Sequence, residues 1–154
     1  MPGLEVKADV GEADPSGLTP VLGPAVTETP AFAEDVLIGD AVRLLGFDVQ
    51  GDDPRVQIDL HWQPLRPLAA DYTSFVQVLA PNGDKIAQSD QMAGGAYYPT
   101  SLWQPDETLR DRHTLTLPDD APPGPYRLHV GMYRLANDEI IPLGAATLIT
   151  PLPR

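Results

Sequence analysis

The sequence contains no cysteine. That excludes disulfides, thiol nucleophiles and thiolate metal sites, and leaves the compartment open. Cationic residues are few, with ten Lys and Arg against 22 Asp and Glu and a formal net charge of −12. Contact with phosphate backbones or anionic lipid needs a basic excess, so nucleic acid is not an expected partner and neither is a charged membrane surface. No run approaches the roughly 18 apolar residues of a membrane span, so direct insertion is not expected. The opening residues, MPGLEVKADVGEAD, carry neither the basic nor the apolar segment of a signal peptide. Aromatics make up only 6% of the chain, so where each one lies carries weight.

Proline is abundant: 18 residues spread over the whole length argue against long helices. Apolar residues reach 42% of 154, enough for one core. Residues 1–34 hold Pro2, Pro15, Pro20, Pro24 and Pro30 with no sustained periodicity, and read as a proline-rich arm or linker. A first strand over Leu4–Ala8 is the alternative reading of that segment. Residues 35–150 read as the folded domain. Val42–Val49 suits a strand before the turn Gly51-Asp52-Asp53-Pro54. In the next segment Val56, Ile58, Leu60 and Trp62 alternate with Gln57, Asp59, His61 and Gln63, which gives one buried and one wet face. Tyr72–Leu79 and Lys85–Gln91 flank the turn Pro81-Asn82-Gly83-Asp84. Arg112–Leu117, Tyr126–Tyr133 and Ile140–Ile149 complete the set. Seven to eight strands with turns at short, regular intervals predict an all-β, immunoglobulin-like antiparallel β-sandwich.

Chemistry-bearing groups are scarce in this pattern. The glutamates fall in the arm or in turns, and no Asp or Glu is expected on the buried face of an apolar strand, where desolvation would prepare a general acid. No nucleophile elbow, zinc-protease helix or phosphate loop occurs, and no cofactor or metal is expected. The acidic turns lack the spacing of a calcium loop. His61 and His129 are expected to point outward as ordinary solvent-facing residues, neighbours if their strands pair. His113 is expected at the edge of the core, and Trp62 inside it. Tyr126, after Pro122-Pro123-Gly124-Pro125, suits a corner tyrosine whose hydroxyl closes the preceding loop. Tyr97, Tyr98 and Trp103 stand apart in an irregular segment rich in glycine and proline. With Gln104 and Arg110 they form the candidate ligand-binding set, flat rings for stacking on sugars and polar groups for hydroxyls. The competing reading makes the same segment a lid over the open end of the sandwich.

The chain resembles the C-terminal β-sandwich of large bacterial membrane-embedded glycosyltransferases of the mannosyltransferase type, and of related uncharacterised membrane proteins. The resemblance lies in Arg43-Leu44-Leu45-Gly46-Phe47-Asp48, His61-Trp62-Gln63-Pro64, Asp71 to Gln77, Gly95 to Trp103, Pro122 to Leu128 and Val130-Gly131-Met132-Tyr133. It implies an extracytoplasmic accessory domain of a longer membrane protein, without catalytic residues of its own; the residues themselves leave a cytoplasmic location open. The functional expectation is therefore a non-enzymatic binding domain, with carbohydrate as the ligand class and a glycan or a cell-envelope protein as partner. The alternative is a structural or protein-interaction module with no small-molecule ligand.

Overall fold

The computed structural model describes residues 29–150, apart from positions 53 and 96. Eight strands follow in order: β1 (Phe32–Ile38), β2 (Val42–Gln50), β3 (Arg55–Pro64), β4 (Thr73–Leu79), β5 (Lys85–Met92), β6 (Leu109–Thr116), β7 (Arg127–Ala136) and β8 (Glu139–Ile149). They form two four-stranded antiparallel sheets, ordered β1-β2-β3-β6 and β5-β4-β7-β8. The fold is the expected β-sandwich. Among the described residues no helix is long and apolar enough to cross a membrane.

Alternation selects the inner faces. In β3, Val56, Ile58, Leu60 and Trp62 point into the core and are 0–5% exposed. Val76 and Val78 of β4, Leu128, Val130 and Met132 of β7, and Leu148 of β8 meet them from the second sheet. Residues on one side of a strand repeat every second position, which makes a single register sufficient to bury this set. Tyr126 is fully buried, and its hydroxyl donates to the Pro122 carbonyl, the corner arrangement expected from the sequence.

Strand β1 is an addition to the strands read from the sequence. It begins at Phe32, inside the segment assigned to the arm, and pairs with β2 through Phe32↔Phe47 to Ile38↔Val42, with a bulge between Ala33 and Val36. The bulge breaks the alternation that would have marked the strand. The alternative strand over Leu4–Ala8 lies outside the described residues. At the other end, Ile140–Ile149 forms one strand whose pairing with β7 shifts between Met132 and Tyr133.

The two lateral seams of the sandwich close differently. Where β1 meets β8, backbones touch: a Cβ on Gly144 would sit 2.4 Å from Gly39 N, and one on Gly39 would sit 2.5 Å from Leu143 O. Gly39 also has φ +63°, so glycine meets both needs there. Where β5 meets β6, side chains bridge the gap.

Candidate functional site

Within the segment from Ala93 to Pro105, Ala93, Thr100 and Trp103 are buried. Trp103 is 2% exposed and belongs to the hydrophobic core, with its Nε1 donating to Tyr98 O at 2.8 Å. Gly94 makes room for the indole, since a Cβ there would lie 2.9 Å from Trp103 Nε1 and 2.5 Å from Tyr98 O. Tyr98 is half-buried and donates its hydroxyl to Glu107 Oε1 at 2.6 Å; burial and that carboxylate push the phenol up to about 12. The same Glu107 oxygen accepts Gln104 N–H at 2.8 Å. Thr100, in the 3₁₀ turn Thr100–Leu102, donates to Ala70 O at 2.6 Å and accepts from Tyr72 N at 2.9 Å. The Gln104 amide reaches back to Leu102 O at 3.4 Å. Tyr97 alone among these aromatics stands in solvent, 85% exposed. Arg110 lies on β6, opposite His61 on the outer face of the first sheet, and its charge acts on Asp48. The five sequence candidates thus divide among a packed lid, its rim and a different face.

The β5–β6 seam holds a sealed polar cluster. Asp111 of β6 points inward beside Leu109 and His113, and is 2% exposed. Its Oδ2 accepts from Ser74 Oγ at 2.5 Å and from Trp62 Nε1 at 3.1 Å, while its Oδ1 accepts from Gln91 Nε2 at 3.0 Å. His113, fully buried, lies 2.8 Å from Ser74 Oγ through Nε2 and 2.8 Å from Ser89 Oγ through Nδ1. Burial alone would raise the Asp111 carboxyl; His113, Ser74 and Trp62 outweigh it and hold the group below the usual range. This corrects the expectation that no acid occupies a buried strand face, because β6 starts at Leu109 and brings Asp111 into the alternation. Serine, histidine and aspartate here have the composition of a hydrolytic triad without its order. In a triad the acid holds one imidazole nitrogen and the serine the other. Here Asp111 and Ser74 both face Nε2, at 3.4 and 2.8 Å, and Ser89 occupies Nδ1.

On the outer face of the first sheet the charges pair with one another. Arg112 grips Asp59 at 2.9 and 3.1 Å, and Asp48 accepts from Ala31 N at 2.6 Å while its Oδ2 lies 2.7 Å from His61 Nε2. His61 points outward as expected, yet it is fully buried with Nδ1 unpartnered. The entering chain explains part of this, for a Cβ on neighbouring Gly46 would lie 2.4 Å from Phe32 O and 2.6 Å from Pro30 Cγ. His129 is in the other sheet, so the two histidines are not neighbours. Among the described residues no three His, Asp or Glu side chains converge as a metal site requires.

The outer face of the second sheet is different again. Phe75 of β4 pairs with Gly131 of β7, and Gly131 is flanked on the same side by His129 and Tyr133. The Phe75 ring lies over the glycine: a Cβ on Gly131 would come within 2.9 Å of Phe75 Cζ, and within 2.3 Å of Gly144 O. Its centroid is 5.6 Å from that of His129 and 6.1 Å from that of Tyr133. The three rings therefore form a row along β7, partly exposed. Polar groups line its β5 side. Tyr133 donates to Asp90 Oδ2 at 2.7 Å, and Gln88 donates to Asp90 Oδ1 at 2.5 Å. The Asp90 carboxylate raises the Tyr133 phenol, and partial burial adds to the shift. On the β8 side His129 Nδ1 lies 3.0 Å from Thr147 Oγ1. The sequence reading missed this row, although Phe75 shares its strand face with Thr73 and Gln77 and not with Val76 and Val78.

No protein-family model matches the chain, and no curated protein does. Two crystal structures of a glycosyl hydrolase family 2 member from Bacteroides cellulosilyticus are similar to it. One, from microfluidic crystals, has 15% identity and a TM-score of 0.41, covering 82% of this chain and 14% of that one. The other, from strain DSM 14838, has 14% identity and a TM-score of 0.42, covering 82% of this chain and 15% of that one. At these scores the likeness assigns no function.

Proposed function

We propose that this domain binds carbohydrate without transforming it, through the Tyr133–Phe75–His129 row on the outer face of the second sheet. The observation that carries the reading is that row: three rings side by side, in partial contact with solvent, flanked by carboxylate, amide and hydroxyl groups. A sugar offers apolar C–H faces to rings and hydroxyls to polar neighbours, and sites of this class combine apolar surface with a few placed hydrogen-bonding groups. The non-catalytic part draws support from the Ser74–His113–Asp111 cluster, whose residues are 0–2% exposed and out of reach of a substrate. An extracytoplasmic accessory domain of a larger glycosyltransferase-like membrane protein is the context we propose, on the sequence resemblance.

The test is a glycan array probed with the whole chain and with Phe75→Ala. Binding that disappears in the variant while its melt stays cooperative supports the reading; an array silent for the parent overturns it. A second reading, a protein-interaction module, has one observation in its favour. Leu135 and Ile140 face each other across the β7–β8 hairpin, 65% and 66% exposed, an apolar pair that a partner would cover.

A further inference from the structure

We infer that the ligand of the second sheet's outer face is a single, soluble, neutral glycan chain that runs along β7 and twists as it goes, not the flat surface of an insoluble polysaccharide. The inference rests on the carbohydrate reading above and adds to it the form of the ligand.

Three observations carry it. The first is the angle between rings. Phe75 is tilted 44° from His129 and 36° from Tyr133. A rigid planar surface can lie flush on one of these planes and must lift from its neighbours. A lone oligosaccharide rotates about its glycosidic bonds and can present a sugar face to each ring in turn. Dispersion contact falls steeply with sub-ångström gaps, so matching the tilt decides how many rings are used.

The second is the direction of the row. His129, Gly131 and Tyr133 alternate on one side of β7, and Phe75 reaches across from β4 to cover the glycine between them. Gly131 is what makes the row continuous. A side chain there would collide with Gly144 O and displace the Phe75 ring. The rings form a narrow track, bordered on the β5 side by Gln88 and Asp90 and on the β8 side by Thr147. A track one ring wide suits one chain, with hydroxyls reaching the borders.

The third is charge. Asp90 faces the track, and the chain as a whole carries −12. The net charge disfavours uronate-bearing or sulfated polymers by raising the cost of approach, and Asp90 adds to this at the track itself. The opposing charges there are Lys85, whose ammonium donates to Gln88, and Arg127, two residues along β7 from His129.

The experiment is calorimetry on the full chain with cellohexaose, mannohexaose and laminarihexaose, and with the disaccharide of each. Depletion assays on crystalline cellulose and chitin, and titration with polygalacturonate, run beside it. The expected result is that at least one neutral hexasaccharide binds at least tenfold more tightly than its disaccharide, while the insoluble polymers and polygalacturonate capture little protein. Phe75→Ala should then abolish the gain with length, and Tyr133→Ala or His129→Ala should shorten the effective track, each reducing the gain. Capture by an insoluble surface that equals or exceeds hexasaccharide binding overturns this inference and leaves carbohydrate binding standing. So does affinity that stops rising at the disaccharide, or preference for polygalacturonate. No binding to any of these together with a silent glycan array overturns both.

Discussion

Two groups of aromatic side chains face opposite fates in this domain. Trp103 and Tyr98 come from an irregular segment full of glycine and proline, and the fold packs them: Trp103 is 2% exposed and Tyr98 is fixed to Glu107. Phe75, His129 and Tyr133 come from regular strands, and the fold leaves them partly exposed on the outer face of a sheet. Irregular backbone usually signals surface and function. Here Gly94 of the segment serves packing, clearing space for the indole at φ +79°. Regular strands usually signal core. Here the outward half of the alternation collects the rings, because β4 and β7 pair in the register that sets Phe75 over Gly131.

The largest effect expected from breaking this contrast is on the buried side. Trp103→Ala should cost about 3–5 kcal/mol, in line with other fully buried aromatics, and the loss would appear in the midpoint of a urea melt. The variant also leaves the Tyr98 carbonyl without its indole donor. A melt within about 0.5 kcal/mol of the parent, the range of ordinary surface substitutions, would place the ring in solvent and return the segment to the role of a sugar platform.

Next in size is the polar seam beside the lid. Asp111→Asn keeps the shape and removes the charge that Ser74, Trp62, Gln91 and His113 converge on. Hydrogen bonds to a charged group contribute about 1.5–3 kcal/mol, and a loss of that order is expected at neutral pH. The pH dependence has a definite sign. The folded-state carboxyl lies below its ordinary value of 3.8, so its contribution is complete above that value and is lost as pH falls through the depressed one. The parent should therefore lose stability more steeply than Asp111→Asn on acidification below that point. Parallel profiles would show that folding does not depress the Asp111 carboxyl, and a parent that gains on Asp111→Asn as pH falls would show a carboxyl held protonated in the fold.

How much of this was legible in the residues follows from which signals are local. The sandwich, the burial of Trp62 and the Tyr126 corner follow from strict alternation and from turn chemistry. Strand β1 hid behind its bulge, and Asp111 hid behind a strand start placed three residues late. His61 shows the limit most clearly. Its outward direction is readable from β3, but its burial depends partly on Pro30 and Phe32 crossing Gly46, a contact between distant positions. The ring row likewise needs the β4–β7 register, and Phe75 within an apolar run gave no local hint of facing out.

Smaller again is Tyr98→Phe, which removes one hydroxyl from the lid and leaves the ring in place. Glu107 keeps the Gln104 N–H at 2.8 Å, so the carboxylate is not orphaned. The expected cost is about 1 kcal/mol, that of an ordinary hydrogen bond. Glycan binding should be unchanged. A loss of binding with intact stability would show that the rim of the lid touches the ligand.

The smallest expected effect is the most decisive for the contrast. Tyr97 is the one aromatic of the segment that stands free in solvent, as a stacking ring must, at 85% exposed. Among the described residues, however, no other aromatic ring is recorded stacked beside it. A lone exposed ring holds up no core, so Tyr97→Ala should leave the melt within about 0.5 kcal/mol of the parent. A row of rings, in contrast, offers a chain several contacts at once, and Phe75→Ala removes the middle one. Calorimetry on the two variants should therefore give opposite answers, with the tighter binding of the hexasaccharide kept in Tyr97→Ala and lost in Phe75→Ala. The reverse pattern would move the glycan site from the sheet to the segment and leave the Tyr133–Phe75–His129 row as a surface feature without a ligand.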